Sequence, residues 1–180
     1  IYTLAILFKN GASAQNSSPL FISCNMTSGS FITSTKLLTK SHELLGVENG
    51  TDPFLVWVPD FVEKTISQES PLALSINTLR LQVRFNCDIV APMNFTLNGV
   101  AGIQACSRVV YVVNESIQYE LAFDWAQHDA ALIFKMDQNL LKNHIHIFKV
   151  VVTNGGQNQR SRLPYVSVSM LSGAWINASE

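Results

Sequence analysis

The residues able to do chemistry are few, and their spacing tests poorly for catalysis. His144 and His146, two positions apart, would share one face of a strand and could chelate zinc. A third ligand, His128 or Asp137, would have to arrive through folding. The bland reading is a pair of histidines on a polar or contact face, where protonation could act as a pH switch. Ser107, Asp124 and His128 make a hydrolytic triad only on paper, because no Gly-x-Ser-x-Gly elbow carries the serine. Gly99 to Gly102 is a turn between two apolar runs, not a phosphate-binding strand-to-helix junction. No catalytic, cofactor-binding or metal residue is assigned, and the chain is read as a non-enzyme.

Cys24, Cys87 and Cys106 leave an odd thiol under any pairing, which is a poor disulfide framework and suits a reducing compartment. Small hydrophobes within strands is the plainer role for them. Six Asn-x-Ser/Thr sequons, at Asn16, Asn25, Asn49, Asn94, Asn114 and Asn177, exceed the roughly two or three that chance would give. They are the best argument for a secreted glycoprotein. The basic residues Arg80, Arg84, Arg108, Lys142, Lys149, Arg160 and Arg162 are dispersed, and Arg80 and Arg84 share the polar face of one strand. The plain reading pairs such charges with carboxylates across strands.

These residues must be positioned by strands. Leu79 to Val90 alternates apolar and polar side chains, so one face is dry and the other wet. Ile117 to Trp125 alternates as cleanly, with Trp125 in phase with the buried face. Ile103–Val113, Ala130–Met136, His144–Thr153 and Tyr165–Leu171 read as further strands, with turns at Asn98-Gly99 and Asn154-Gly155-Gly156. Earlier in the chain, Ile1–Phe8, Leu20–Met26, Phe31–Thr35 and Phe54–Val58 read as strands. Leu37, Leu38, Leu44 and Leu45, with Gly46 as terminator, predict one short helix over Lys36–Leu45. Asp60–Pro71 is polar and ambiguous. Such spacing indicates an all-β sandwich or barrel in a single domain over residues 1–180.

Charged residues are only 14% of the chain, against roughly 25% for an average soluble domain. Hydrophobic residues reach 47%. Contact cores are depleted in charge, so this composition points to a surface largely covered by partners. A net charge of −1 carries neither the basic stripe of a dedicated nucleic-acid binder nor a polybasic membrane anchor. The apolar Ile1–Phe8 is too short to span a bilayer. A first residue other than Met reads as a fragment or a processed product.

The second half resembles the jelly-roll coat proteins of icosahedral picorna-like viruses, those of plants above all. The resemblance rests on Leu79–Val90, Gly102–Val113, Ser116-Ile117-Gln118-Tyr119-Glu120-Leu121-Ala122-Phe123-Asp124-Trp125, Ala130–Phe134, Ile147–Asn154 and Pro164–Met170 in that order. It covers roughly residues 75 to 175, and the first 70 residues fit only loosely. It implies an eight-stranded antiparallel jelly-roll β-sandwich with one or two short helices, cut from a polyprotein. The size suits a plant secovirus coat protein, the cheravirus type with three similar coat proteins among them. The implied function is assembly with related subunits into an icosahedral capsid enclosing RNA, in a virion made in the host cytoplasm. It implies no cofactor and no membrane partner, and RNA contact would lack a basic N-terminal arm. Arg80, Arg84 and Trp175 are the candidate interface residues. The alternative is a secreted β-sandwich glycoprotein that binds a receptor or glycan.

Overall fold

In the computed structural model, side chains from Leu81 to Ile89 are buried at every second position, as the alternation requires. The structure describes residues 3, 5–114, 117–126, 130–160, 163–171 and 173–177, with backbone alone for 105–108, 114, 117–119, 123, 125, 126 and 177. Eleven strands are found and, among the described residues, no helix. The chain divides into two compact units, 1–58 and 59–180.

The first unit holds one antiparallel hairpin, β1 (Phe21–Asn25) with β2 (Phe31–Lys36). Every residue of both strands is exposed. Val47 is the one hydrophobic side chain buried among the described residues of this unit. The helix predicted over Lys36–Leu45 does not form. Lys36 ends β2, and the Leu37 N–H donates to the Leu20 carbonyl, which prolongs the hairpin. Leu44 and Val47 then exchange backbone hydrogen bonds across a tight turn whose tip residues, Leu45 and Gly46, have φ of 53° and 68°. The leucines sit seven apart with Lys40, Ser41 and His42 between them, so no i, i+4 apolar pair favoured a helix. The strand expected over Ile1–Phe8 is absent from its described residues, and Phe8 packs on Phe54 with ring centroids 5.2 Å apart. Phe54–Val58 contributes only a bridge, Val56 to Gln15, in place of the expected strand.

The second unit contains β3 (Phe61–Gln68), β4 (Ile76–Phe85), β5 (Met93–Asn98), β6 (Ile103–Asn114), β7 (Ile117–Ala126), β8 (Ala131–Met136), β9 (His146–Asn154), β10 (Tyr165–Met170) and β11 (Trp175–Asn177). All pairings are antiparallel, in the order β11-β10-β5-β8-β7-β6-β9-β4-β3. β7 is the shared strand. Its first half pairs with β6 and its second half, Phe123–Ala126, pairs with β8.

The sheet thereby turns over on itself, and the two halves pack face to face. Phe85 of β4 and Phe148 of β9 come from one half, Phe95 of β5 and Phe134 of β8 from the other. Phe95 lies 4.9 Å from Phe148 and 6.3 Å from Phe85, and Phe134 lies 5.1 Å from Phe148, centroid to centroid. All four rings are at most 2% exposed. Each such ring contributes roughly 1.5–3 kcal/mol through burial, with somewhat more from ring-on-ring contact. This is an all-β, antiparallel sandwich.

Candidate functional site

The polar residues that interrupt the core face of the second unit stand at the ends of its strands. On β4 the buried face runs Asn77, Leu79, Leu81, Val83, Phe85, and on β9 it runs His146, Phe148, Val150, Val152, Asn154. The pairing of Asn77 with Val152 brings Asn77 beside Asn154, so two amides close one end of the core.

Asn77 is only 2% exposed and uses its full hydrogen-bonding capacity. Its Oδ1 accepts from the Glu69 and Ser70 backbone N–H groups at 3.1 and 2.9 Å. Its Nδ2 donates to Gln68 Oε1 and Asn154 Oδ1, both at 3.0 Å. Asn154 Nδ2 in turn donates to the Ser70 and Leu72 carbonyls at 3.0 and 2.8 Å. The Ser70 and Ser75 hydroxyls meet at 2.8 Å. Together they fix the β3–β4 loop.

Gly155 fastens two more segments to this frame. Its N–H donates to the Gly102 carbonyl at 2.7 Å, and its own carbonyl accepts from the Leu74 N–H at 3.3 Å. Gly99 and Gly102, with φ of 79° and 83°, turn the chain between β5 and β6. A Cβ on Gly102 would overlap the Gln159 amide, which lies against it. Between these loops is a cavity of about 560 Å³. Its polar wall includes Gln68, Gln157, Asn158, Gln159 and Arg160, and its apolar wall Ile66, Leu79, Val100 and Ile103. None of the described residues lining it is aromatic or carries a carboxylate.

The sequence-selected interface residues fall elsewhere. Arg84 is half-buried, and its Nη2 pairs with Glu63 Oε2 of β3 at 3.3 Å. Gln82 Nε2 donates to the other oxygen of Glu63 at 2.7 Å. This is the cross-strand pairing that the plain reading foresaw. Arg80 is exposed and, among the described residues, has only a long 3.5 Å contact to Gln82. The residue opposite it on β9 is Lys149, a second cation. The row continues through Tyr111 to Glu120, two strand spacings from Lys149, about 10 Å. Like charges directly opposite each other are destabilising, so Arg80 and Lys149 form a cationic spot that the fold itself does not require. Trp175, on β11, is 63% exposed at the edge of the sheet.

The residues weighed for catalysis are not brought together where they can be described. His146 is fully buried beside Phe85, with Nε2 at 3.2 Å from the Leu141 carbonyl. His144 precedes the strand and is half-buried. Among the described residues no three His, Cys, Asp or Glu side chains form a metal-binding group. Asp124 is exposed, while His128 and the Ser107 side chain lie outside the described residues. The side chains of Trp125 and Cys106 lie outside them too. Cys24 is exposed and free; Cys87 is buried and free. Burial, helped by Asp88 and opposed by Lys142, pushes the Cys87 thiol up to about 11. The described sequon residues Asn16, Asn25, Asn49 and Asn94 are all exposed.

Sequence reasoning missed Asn77 and the cavity. The one available signal was the Asn two residues before Leu79, where an apolar side chain would have extended the alternation. The chain matches no protein-family model, and comparison with curated proteins finds no relative.

Proposed function

We propose that this protein is a structural coat protein whose second unit is a jelly roll and whose function is assembly, with like or related subunits, into an icosahedral shell around RNA. The observation that carries the reading is the nesting of strand pairs. β6 pairs with β7, β5 with β8 and β4 with β9, each pair enclosing the previous one in sequence. Apart from the neighbours β6 and β7, successive strands from β4 to β10 fall in opposite layers, β4-β9-β6-β7 and β10-β5-β8. Such nesting supports the reading of a rolled-up hairpin, as in jelly rolls. β11 lies beside β10, and β3 adds an outer strand beside β4.

Composition and burial favour assembly over a solitary existence. Charge is scarce, and the first unit leaves Leu7, Phe21, Phe31, Leu38 and Trp57 exposed. A two-stranded hairpin with no buried face is marginal in water, so it needs a covering surface, which a shell supplies. Arg80, facing Lys149, and the exposed Trp175 are the side chains best placed to meet a neighbour. Arg84 is less well placed, since Glu63 already holds it.

Electron microscopy and sedimentation of the purified protein, alone and with chains that co-purify, test the reading. Uniform particles are expected. A protein that stays monomeric under all these conditions, or that carries glycans at Asn25 or Asn94, overturns it, the second result favouring the secreted glycoprotein. Trp175→Ala is expected to reduce particle yield while leaving the melting temperature of the subunit within about 2 °C, because a surface substitution usually changes stability by less than about 0.5 kcal/mol.

A further inference from the structure

The cavity at the Asn77 end of the sandwich has one wall that is rigid and one that is unengaged. The rigid wall is the Asn77–Asn154 network with the strand ends that carry it. The unengaged wall is the run Gln157-Asn158-Gln159-Arg160, exposed and without a hydrogen bond or ion pair to any described residue. Four successive polar side chains therefore line the cavity just beyond the fastened Gly155, with donors and acceptors left for something else.

The donor set limits what that could be. Amide side chains present an NH2 donor group and a carbonyl acceptor side by side in one plane, which matches adjacent hydroxyl groups. Arg160, with no carboxylate among the described lining residues, offers a guanidinium fork to an anionic oxygen pair. The absence of an aromatic platform disfavours stacked nucleobases, which single-strand binders read by stacking. The apolar wall can accept the C–H faces of sugar rings. A volume of about 560 Å³ lies within the range of small-ligand sites and suits a chain of about two or three rings.

The geometry points to a binding site for a short acidic oligosaccharide of the uronic-acid type, its carboxylate on Arg160 and its hydroxyls on Gln157, Asn158 and Gln68. The site is built wholly within the second unit and does not depend on the coat-protein reading. Titration of the whole protein with trigalacturonate, maltotriose and triglutamate, followed by saturation-transfer NMR and calorimetry, tests it. Trigalacturonate is expected to bind, maltotriose about tenfold more weakly, and triglutamate not at all. Arg160→Gln should erase the preference for the acidic sugar, and Asn158→Ala should weaken both sugars. Arg80→Gln, on the sheet face, should change neither. Absence of trigalacturonate binding up to about 10 mM, binding indifferent to Arg160→Gln and Asn158→Ala, or triglutamate binding as tightly as the sugar each overturns the assignment. Both loop side chains are exposed, so neither substitution threatens the fold.

Discussion

Asn77→Ala should be among the most costly polar substitutions in this chain. The Asn77 side chain is 2% exposed and makes four hydrogen bonds. Truncation leaves the Ser70 N–H without its acceptor, leaves the Glu69 N–H with the Thr78 carbonyl alone, and removes a donor from Gln68 and Asn154. A hydrogen bond contributes about 1 kcal/mol net, and a buried group left unsatisfied costs about 1–3 kcal/mol. Gln68 and Glu69 are both exposed, so water recovers part of the loss. Counting Ser70 and Asn154 in full and the others at half gives about 3 kcal/mol. For a folded unit of 122 residues (59–180) that is a fall in melting temperature of roughly 10 °C. Urea denaturation measures the stability, and amide hydrogen exchange reads the mechanism, because the Ser70 N–H should lose protection selectively. A double-mutant cycle with Asn154→Ala should be non-additive by about 1 kcal/mol, the two amides being directly bonded. A loss below about 0.5 kcal/mol, with Ser70 exchange unchanged, would refute the claim that this network closes the core.

Other perturbations separate packing, titration and surface charge. Phe148→Ala, which empties the centre of the aromatic cluster, should cost about 3–5 kcal/mol in urea unfolding. Cys24 should react rapidly with a thiol reagent at pH 8 and Cys87 only on unfolding, which mass spectrometry can follow. The Cys87 thiol is raised in the folded state, so its contribution is fully present below pH 9 and lost as pH rises through about 11. A Cys87→Ala variant should show a smaller alkaline decline, by at most about 2 kcal/mol, since the two-unit shift sets the ceiling and partial hydration lowers it. Arg80→Gln relieves repulsion from Lys149, so it should hold or raise subunit stability by up to about 0.5 kcal/mol while lowering particle yield. Arg84→Glu is the contrasting case. It would set a carboxylate against Glu63, so both folding and assembly should suffer.

The strands that bury one face against one partner layer were legible, because a period of two leaves a clear mark. β8 and β10 lie within runs read from alternation or β-branched content; β6, β7 and β9 overrun theirs by one residue, and β4 begins three residues before its run and ends five short of it. β5 was obscured, since Met93–Asn98 is short and adjoins the Asn98-Gly99 turn that dominated the reading. β3 and β11 are edge strands, half-exposed and polar or very short, and their pairing is specified by the neighbour rather than by their own residues. The leucines of Lys36–Leu45 show the reverse failure. A run can have roughly helical spacing and still lack the adjacent-turn contacts that stabilise a helix, and backbone pairing then decides the outcome.

The cavity was illegible for a related reason. Its parts were visible as chain breaks, Asn98-Gly99 and Asn154-Gly155-Gly156, and a strand does end at each, β5 at Asn98 and β9 at Asn154. What no local pattern encodes is that β9 lies between β4 and β6. That order brings Asn154 to Asn77, from 77 positions away in the chain, and sets Gly155 against Gly102. Closing such long-range contacts is entropically unfavourable until several form together. One fully satisfied buried amide joining two strands and a loop makes them form together or not at all. Asn77 thus ties the closure of the core to the construction of the cavity: an Asn77 variant that still folds should lose saccharide binding through a disordered β3–β4 loop, whereas Arg160→Gln should lose it with the loop intact.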